Sequence, residues 1–219
     1  MTQSAVISET PGVSIDAYQK SIDYLASSKS EFVFDSEGSE NAAIIISSIF
    51  KHSKSIVRIY ATNMNGDISD FSIYTNSLFR FLYEKKTLQV LLDTPEFITS
   101  TDHFRQNKKF RQILNRFYPQ GNIDFRVASD EFKNGMRSIA TDNSSLYHFA
   151  VGDDHIIRIE LENKNRTSVC SFNNRKMAQP IIRIFDTYFP QCEPINLIAE
   201  EVQMAIDEGN IDIFPNASQ

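Results

Sequence analysis

Residues 147–176 read YHFAVGDDHIIRIELENKNRTSVCSFNNRK. Their order decides the fold. HFAVG is a short apolar run suited to a strand, and GDDH has turn chemistry. HIIRIELE alternates as a second strand, ENKNR is a polar loop, and TSVCSF is a third strand. The asparagine pair that follows opens a helix, Asn174 to Tyr188, with Pro180 inside it.

Upstream, strands and helices alternate. Ile15 to Ser28 is predicted helical, with Ser14 or Asp16 as cap, and EFVF, 31–34, is a short strand. Asn41 to His52, carrying AAIIISSIF, is a buried helix. SIVRIYAT, 55–62, alternates as a strand, and Phe71 to Lys85 has apolar residues at helical spacing. LQVLLD, 88–93, is apolar on both faces and reads as a central strand. A helix over 101–118 and a strand IDFRVA, 123–128, follow. DEFKNGMRSIATDNSS, 130–145, reads as irregular with a single helical turn, and INLIAEEVQMAIDEGN, 195–210, reads as an amphipathic acidic helix. The whole is α/β, with a mixed, largely parallel central sheet flanked by helices and an extra C-terminal helix. The expected organisation is a lead-in and helix over 1–29, an α/β domain over 30–192, and an acidic helix and tail over 193–219.

Composition narrows the classes. The chain has 219 residues, 41% hydrophobic and 23% charged, enough for one substantial core. It contains no apolar stretch of membrane-spanning length. MTQSAVISETPGVSIDAYQ has neither a basic start nor an apolar run, so no secretory signal is expected. Two cysteines, Cys170 and Cys192, suit a cytoplasmic protein with reduced thiols, and Cys170 lies in a core-like strand pattern. The net charge of −6 is uneven: seven acids and two bases in 1–40, six acids and no Lys or Arg in 193–219, and a net of +5 between. A mildly basic body of this kind is an ordinary solvated surface, or it meets phosphate or an acidic partner.

The phrase HFAVGDDHIIRIE…SVCSFNN…IIRIFDTYF, with the element order over roughly 30–190, resembles one repeat of the phospholipase D-like superfamily. That family places His-x-Lys-x4-Asp on a strand and its turn, then Gly-Ser-x-Asn ahead of a helix. The resemblance makes His148 the histidine that attacks phosphorus. Ala150 stands where the family has lysine, and His155 where it has aspartate, beside Asp153 and Asp154. Ser171 and Asn173 take the serine and asparagine places without the preceding glycine.

The chemistry needs an imidazole nucleophile, a cation on the phosphoryl oxygens and a carboxylate orienting the ring. Losing one such electrostatic clamp costs about 10²–10³ in rate. Arg158, Arg175 and Lys176 are the cations that could substitute for the missing lysine. The enlarged hairpin between histidine and serine resembles divergent, non-catalytic members in which the fold is a scaffold or sensor. Two repeats face one another across a shared site in the family, so a one-repeat chain is expected to pair with a copy of itself.

The reading is therefore a non-catalytic interaction or regulatory subunit in a homodimer or larger assembly, possible partners being a second copy, a protein reached through the C-terminal helix, or nucleic acid. The first alternative is a divergent phosphodiesterase or nuclease using His148, Ser171 and Asn173. The second is a nucleic-acid-binding module whose helix presents Arg105, Lys108, Lys109, Arg111 and Arg116 to phosphates, in salt-sensitive fashion. No cofactor is expected. His52, His103, His148 and His155 form no recognisable zinc spacing, and no Gly-rich phosphate loop occurs.

Overall fold

A computed structural model describes residues 5–6, 14–62, 64, 67–93, 108–140, 146–162 and 164–195, with the backbone alone at 5–6 and 108. The strands are β1 (Ala5–Val6), β2 (Phe34–Ser36), β3 (Ile56–Ala61), β4 (Thr87–Leu92), β5 (Ile123–Val127), β6 (His148–Gly152), β7 (Ile156–Glu162), β8 (Thr167–Ser171) and β9 (Glu193–Pro194). The helices are α1 (Ile15–Ser27), α2 (Ser39–His52), α3 (Asp67–Asp70), α4 (Ser72–Tyr83), α5 (Lys108–Phe117), α6 (Asp130–Ile139) and α7 (Arg175–Tyr188). Among the described residues, no helix is long and apolar enough to cross a membrane.

The strands form one mixed sheet in the order β1-β2-β8-β7-β6-β3-β4-β5-β9. Strand–helix alternation makes β3, β4 and β5 parallel neighbours. The hairpins after residue 148 contribute the antiparallel part, so five of the eight pairings are antiparallel. The apolar character of LQVLLD has its expected cause: Leu88, Val90, Leu91 and Leu92 of β4 are buried, as a strand covered on both faces requires.

Helices cover both faces. On one, α1, α2, α4 and α5 pack over Val57, Ile59, Ala150, Ile156 and Cys170. Helix α2 is buried continuously from Asn41 to Phe50, which explains its all-round apolarity. Helix α1 adds Tyr18, Ile22 and Ala26 to the same core. On the other face, Phe132 and Met136 of α6 and Ala178, Ile181 and Phe185 of α7 pack over Tyr60, Phe149, Val151 and Ile157.

Helix α6 corrects the reading of 130–145 as irregular. Ser129 caps it by accepting from the Phe132 amide at 3.2 Å. Gly135 interrupts its helical propensity, yet a Cβ at 135 would lie 3.0 Å from Ile184 Cγ2 and 3.2 Å from Tyr188 Cε2. The glycine lets α6 and α7 approach. The helix expected over 195–210 lies outside the described residues except for Ile195, whose amide donates to the Phe125 carbonyl at 2.8 Å.

The β6–β7 turn fixes the rest of the register. Asp153 takes φ 48°, and its carboxylate accepts from the amides of Lys54 at 2.7 Å, Ser55 at 3.0 Å and Ile56 at 3.3 Å. Burial alone would raise its pKa, but these amides override that and lower it. The turn is thus tied to the start of β3. Gly152 beside it has no room for a side chain, since a Cβ would lie 2.1 Å from Ser53 Oγ and 3.1 Å from Ile49 Cγ2. Gly152→Ala is expected to destabilise the protein by about 1–3 kcal/mol through overpacking. A urea-unfolding midpoint equal to the parent's would refute the close approach.

Candidate functional site

His148 is the first residue of β6 and lies beside the carboxyl end of β3, where open α/β sheets form ligand crevices. The antiparallel register pairs His148 with Glu160 and Ala150 with Arg158. Its Nε2 is 3.2 Å from the Thr62 hydroxyl and 3.4 Å from Asp93 Oδ2. Its Nδ1 is 3.9 Å from Glu160 Oε1, beyond hydrogen-bonding distance. Tyr60 meets the ring edge-on, with centroids 5.2 Å apart, and donates its hydroxyl to Asp93. Lys133 Nζ, from α6, lies 3.6 Å from Asp93 Oδ1. Burial would raise the Asp93 pKa, but the contacts with His148 and Tyr60 and the Lys133 charge lower it.

Glu160 is the centre of the site. It is 4% exposed and its neighbour Arg158 is 3% exposed. Arg158 Nη2 donates to Glu160 Oε2 at 2.8 Å, and Arg166 Nη1 to Oε1 at 3.0 Å. The other arm of Arg166 donates to Asp67 Oδ1 at 3.0 Å, and Asp67 also accepts from the Ser39 hydroxyl. Burial by itself would raise the Glu160 pKa; the proximity of His148 and the charges of Arg158 and Arg166 pull it down to about 2. The ion pairs border a cavity of about 280 Å³ whose other walls include Ile46, Ile59, Ala61, Met64, Ile68 and Tyr74.

The proposed cation therefore exists, since Arg158 faces the alanine in the lysine place, but it is already engaged by a carboxylate. Ser171 and Asn173 are not brought to His148. Ser171 pairs with Ile157, three residues before Glu160 and of the opposite facing. That is about 10 Å farther along the strand. The physical reason is the hairpin: the strand that returns past His148 is β7, so residue 160 and not 171 meets it. Ser171 is 1% exposed and accepts from the Asn173 amide at 3.4 Å.

His155, in the aspartate place, also sits at this far end, with Nδ1 2.6 Å from Asp154 Oδ1. Arg175 pairs there with Asp154 at 2.9 Å. Cys170 is core, as its pattern implied, and burial pushes its thiol up to about 11.

The basic helix is less uniform than its sequence. Arg111 is 3% exposed, which removes it from a surface phosphate row. It adjoins the Phe110–Ile113–Leu114–Phe117 stripe and shares that buried face. Arg116 is exposed, with its guanidinium 5.3 Å from the Phe79 ring centroid and 5.7 Å from that of Tyr83. Lys109 is half-buried. Arg105 and the Lys108 side chain lie outside the described residues.

Glu160, Asp93 and Arg166 were not singled out from the sequence. The hairpin carried the signal for one of them. A tight turn at 153–155 pairs 152 with 156, hence 150 with 158 and 148 with 160.

No family model matches the chain, and no curated protein matches it. Among solved structures it resembles TrmBL2, an archaeal chromatin protein with a novel mode of DNA binding, at a TM-score of 0.50 and 11% identity, over 82% of this chain and 62% of that one. The chain thus spans less than two thirds of TrmBL2, with which it shares a fold. It also resembles NucT from Helicobacter pylori (TM-score 0.49, 10% identity, 74% of this chain and 99% of that one). Nuc from Salmonella typhimurium, a phospholipase D family member, gives a TM-score of 0.48 at 11% identity, over 74% and 97% of the two chains.

The buried pair makes its own forecast. Glu160→Ala leaves Arg158 charged and uncompensated and is expected to cost about 3–5 kcal/mol, most of it regained in Arg158→Met/Glu160→Leu. Because the Glu160 pKa falls from 4.5 to about 2 on folding, its stabilising effect is complete above pH 4.5. It is lost as pH drops toward 2, on the order of 3 kcal/mol in all. Unfolding free energies measured from pH 5.5 to 2.5 should fall less steeply in the double variant than in the parent, and equal slopes would count against the depressed carboxyl.

Proposed function

We propose that this chain is a non-catalytic interaction or regulatory subunit built on a phospholipase D-like scaffold, acting in a homodimer or larger assembly. One observation carries the reading: the Glu160 carboxylate lies between Arg158 and Arg166 and faces His148, where a phosphoryl group would need cations. A phosphodiester entering there meets a fixed negative charge and two arginines already committed to it. Carboxylates also flank the ring, with Asp93 on the Nε2 side and Glu160 on the Nδ1 side, so an approaching phosphodiester meets negative charge on both sides. The groups the resemblance assigns to phosphate holding, Ser171 and Asn173, belong to the far end of the sheet.

A second reading, contact with nucleic acid, has narrower support. The segment between the acidic ends is net basic, and Arg116 is exposed while held over aromatic rings. TrmBL2, of the same fold, binds DNA. On this reading the surface around α5 touches backbone phosphates, and the cavity at His148 takes no part.

Two measurements test these readings. Hydrolysis of bis(p-nitrophenyl) phosphate by the parent is expected to equal that of His148→Ala; turnover that disappears in the variant would establish an enzyme instead. Binding to duplex DNA, if the second reading holds, weakens steeply with salt and loses about one unit of salt slope for each of Lys109→Glu and Arg116→Glu. A salt-independent affinity, or one untouched by both changes, excludes it.

A further inference from the structure

We propose that the cavity beside Ala150 binds a neutral nitrogen heterocycle, a free nucleobase or the base of a nucleoside. The inference deepens the non-catalytic reading of this site and rests on it. Charge sets the first limit. Arg158 and Arg166, which line the cavity, both pair with Glu160, and Arg166 pairs with Asp67 as well. An anion would face Glu160 without an uncommitted arginine, and a cation would face two guanidinium groups. An uncharged molecule disturbs neither balance.

Polarity sets the second limit. Ile46, Ile59, Ala61, Met64, Ile68 and Ala150 form apolar walls. The polar capacity left over is small and specific. Arg158 Nε is buried with no hydrogen-bond partner among the described residues. Tyr74 is 3% exposed and lines the same cavity, where its hydroxyl can donate to a ligand. Burial raises its pKa, keeping it a protonated donor. Buried polar groups without partners are costly, and a carbonyl oxygen or ring nitrogen of a ligand satisfies such donors. A sugar of similar size brings many hydroxyls, each needing a partner, and few side chains here besides Thr62, Ser69, His148 and the ion-paired groups can serve. A flat heterocycle brings one or two acceptors and a face for the aliphatic side chains and the Tyr74 ring. At about 280 Å³ the space lies just below the range of ligand pockets, roughly 300–1,000 Å³, which suits a small ligand.

Ala150 makes the space. Its side chain borders the cavity opposite Arg158, so a larger residue there fills the cavity without removing any ion-pairing group. The test is calorimetric titration of the full chain with adenine, hypoxanthine, uracil, adenosine and uridine, with glucose and inorganic phosphate as controls. At least one base or nucleoside is expected to bind saturably, with no competition from phosphate or glucose. Tyr74→Phe should weaken that binding about tenfold, the value of one hydrogen bond at the upper end of its range. Ala150→Leu should abolish it while the variant still melts in a single cooperative transition. The proposal is overturned if no base or nucleoside binds at millimolar concentration, if phosphate or glucose competes, or if both variants bind as the parent does. Bis(p-nitrophenyl) phosphate turnover is followed in the same preparation. Binding without turnover supports both readings, and turnover dependent on His148 removes the non-catalytic one and this one with it. Absence of both removes only the ligand.

Discussion

Burying the Glu160 carboxylate is possible only because two guanidinium groups are buried or half-buried with it. Moving a lone carboxylate out of water costs far more than a domain's whole stability margin unless it is paired and hydrogen-bonded. Arg158 supplies one partner from the same strand, two residues away, so the two side chains point to the same face. Arg166 supplies the other from the β7–β8 turn, and in doing so reaches Asp67 on α3. One buried charge therefore ties the hairpin to the segment after β3. Whether such networks add net stability is a separate matter from what breaking them costs. What they fix is geometry: the cavity wall, the setting of His148 and the packing of α3 all follow from this pairing.

The pairing itself depends on register. A one-residue slip between β6 and β7 would turn Glu160 and Arg158 to the other face, where Phe149, Val151 and Ile157 pack against α6 and α7. The Asp153 turn prevents that slip by docking on three successive amides at the start of β3. Gly152 permits the approach. A turn that reads as ordinary loop chemistry thus sets the electrostatics at the opposite end of the strands.

The fold was legible where periodicity was strong. The apolar run of β4, the buried face of α2 and the alternation of β3 carried enough pattern to place those elements within one or two residues. Helix α6 was obscured because Gly135 serves helix–helix contact and not helix propensity. Strands β1 and β9, of two residues each, exist only through their neighbours and leave no periodic trace. At the site, His148 stood out by residue type and Arg158 was among the cations considered. Glu160 and Asp93 looked like ordinary strand-end acids, because a charge pattern in one dimension does not reveal which face and which register will bury it. Arg111 shows the converse: a basic residue in a basic helix, buried because it borders the apolar stripe.

Ala150 and Arg158 belong to one solution. They face each other across β6 and β7, at a separation where like charges repel. A lysine at 150, which the resemblance to phospholipase D-like repeats would require, would set an ammonium against a buried guanidinium. The single carboxylate of Glu160 already serves two arginines and could not neutralise a third cation. A lysine at 150 thus demands removal of Arg158, and removal of Arg158 strips Glu160 of its nearest counter-ion. Small volume at 150, a cation at 158 and an anion at 160 are thus mutually dependent. That coupling makes a change at any one of them costly unless the others change with it.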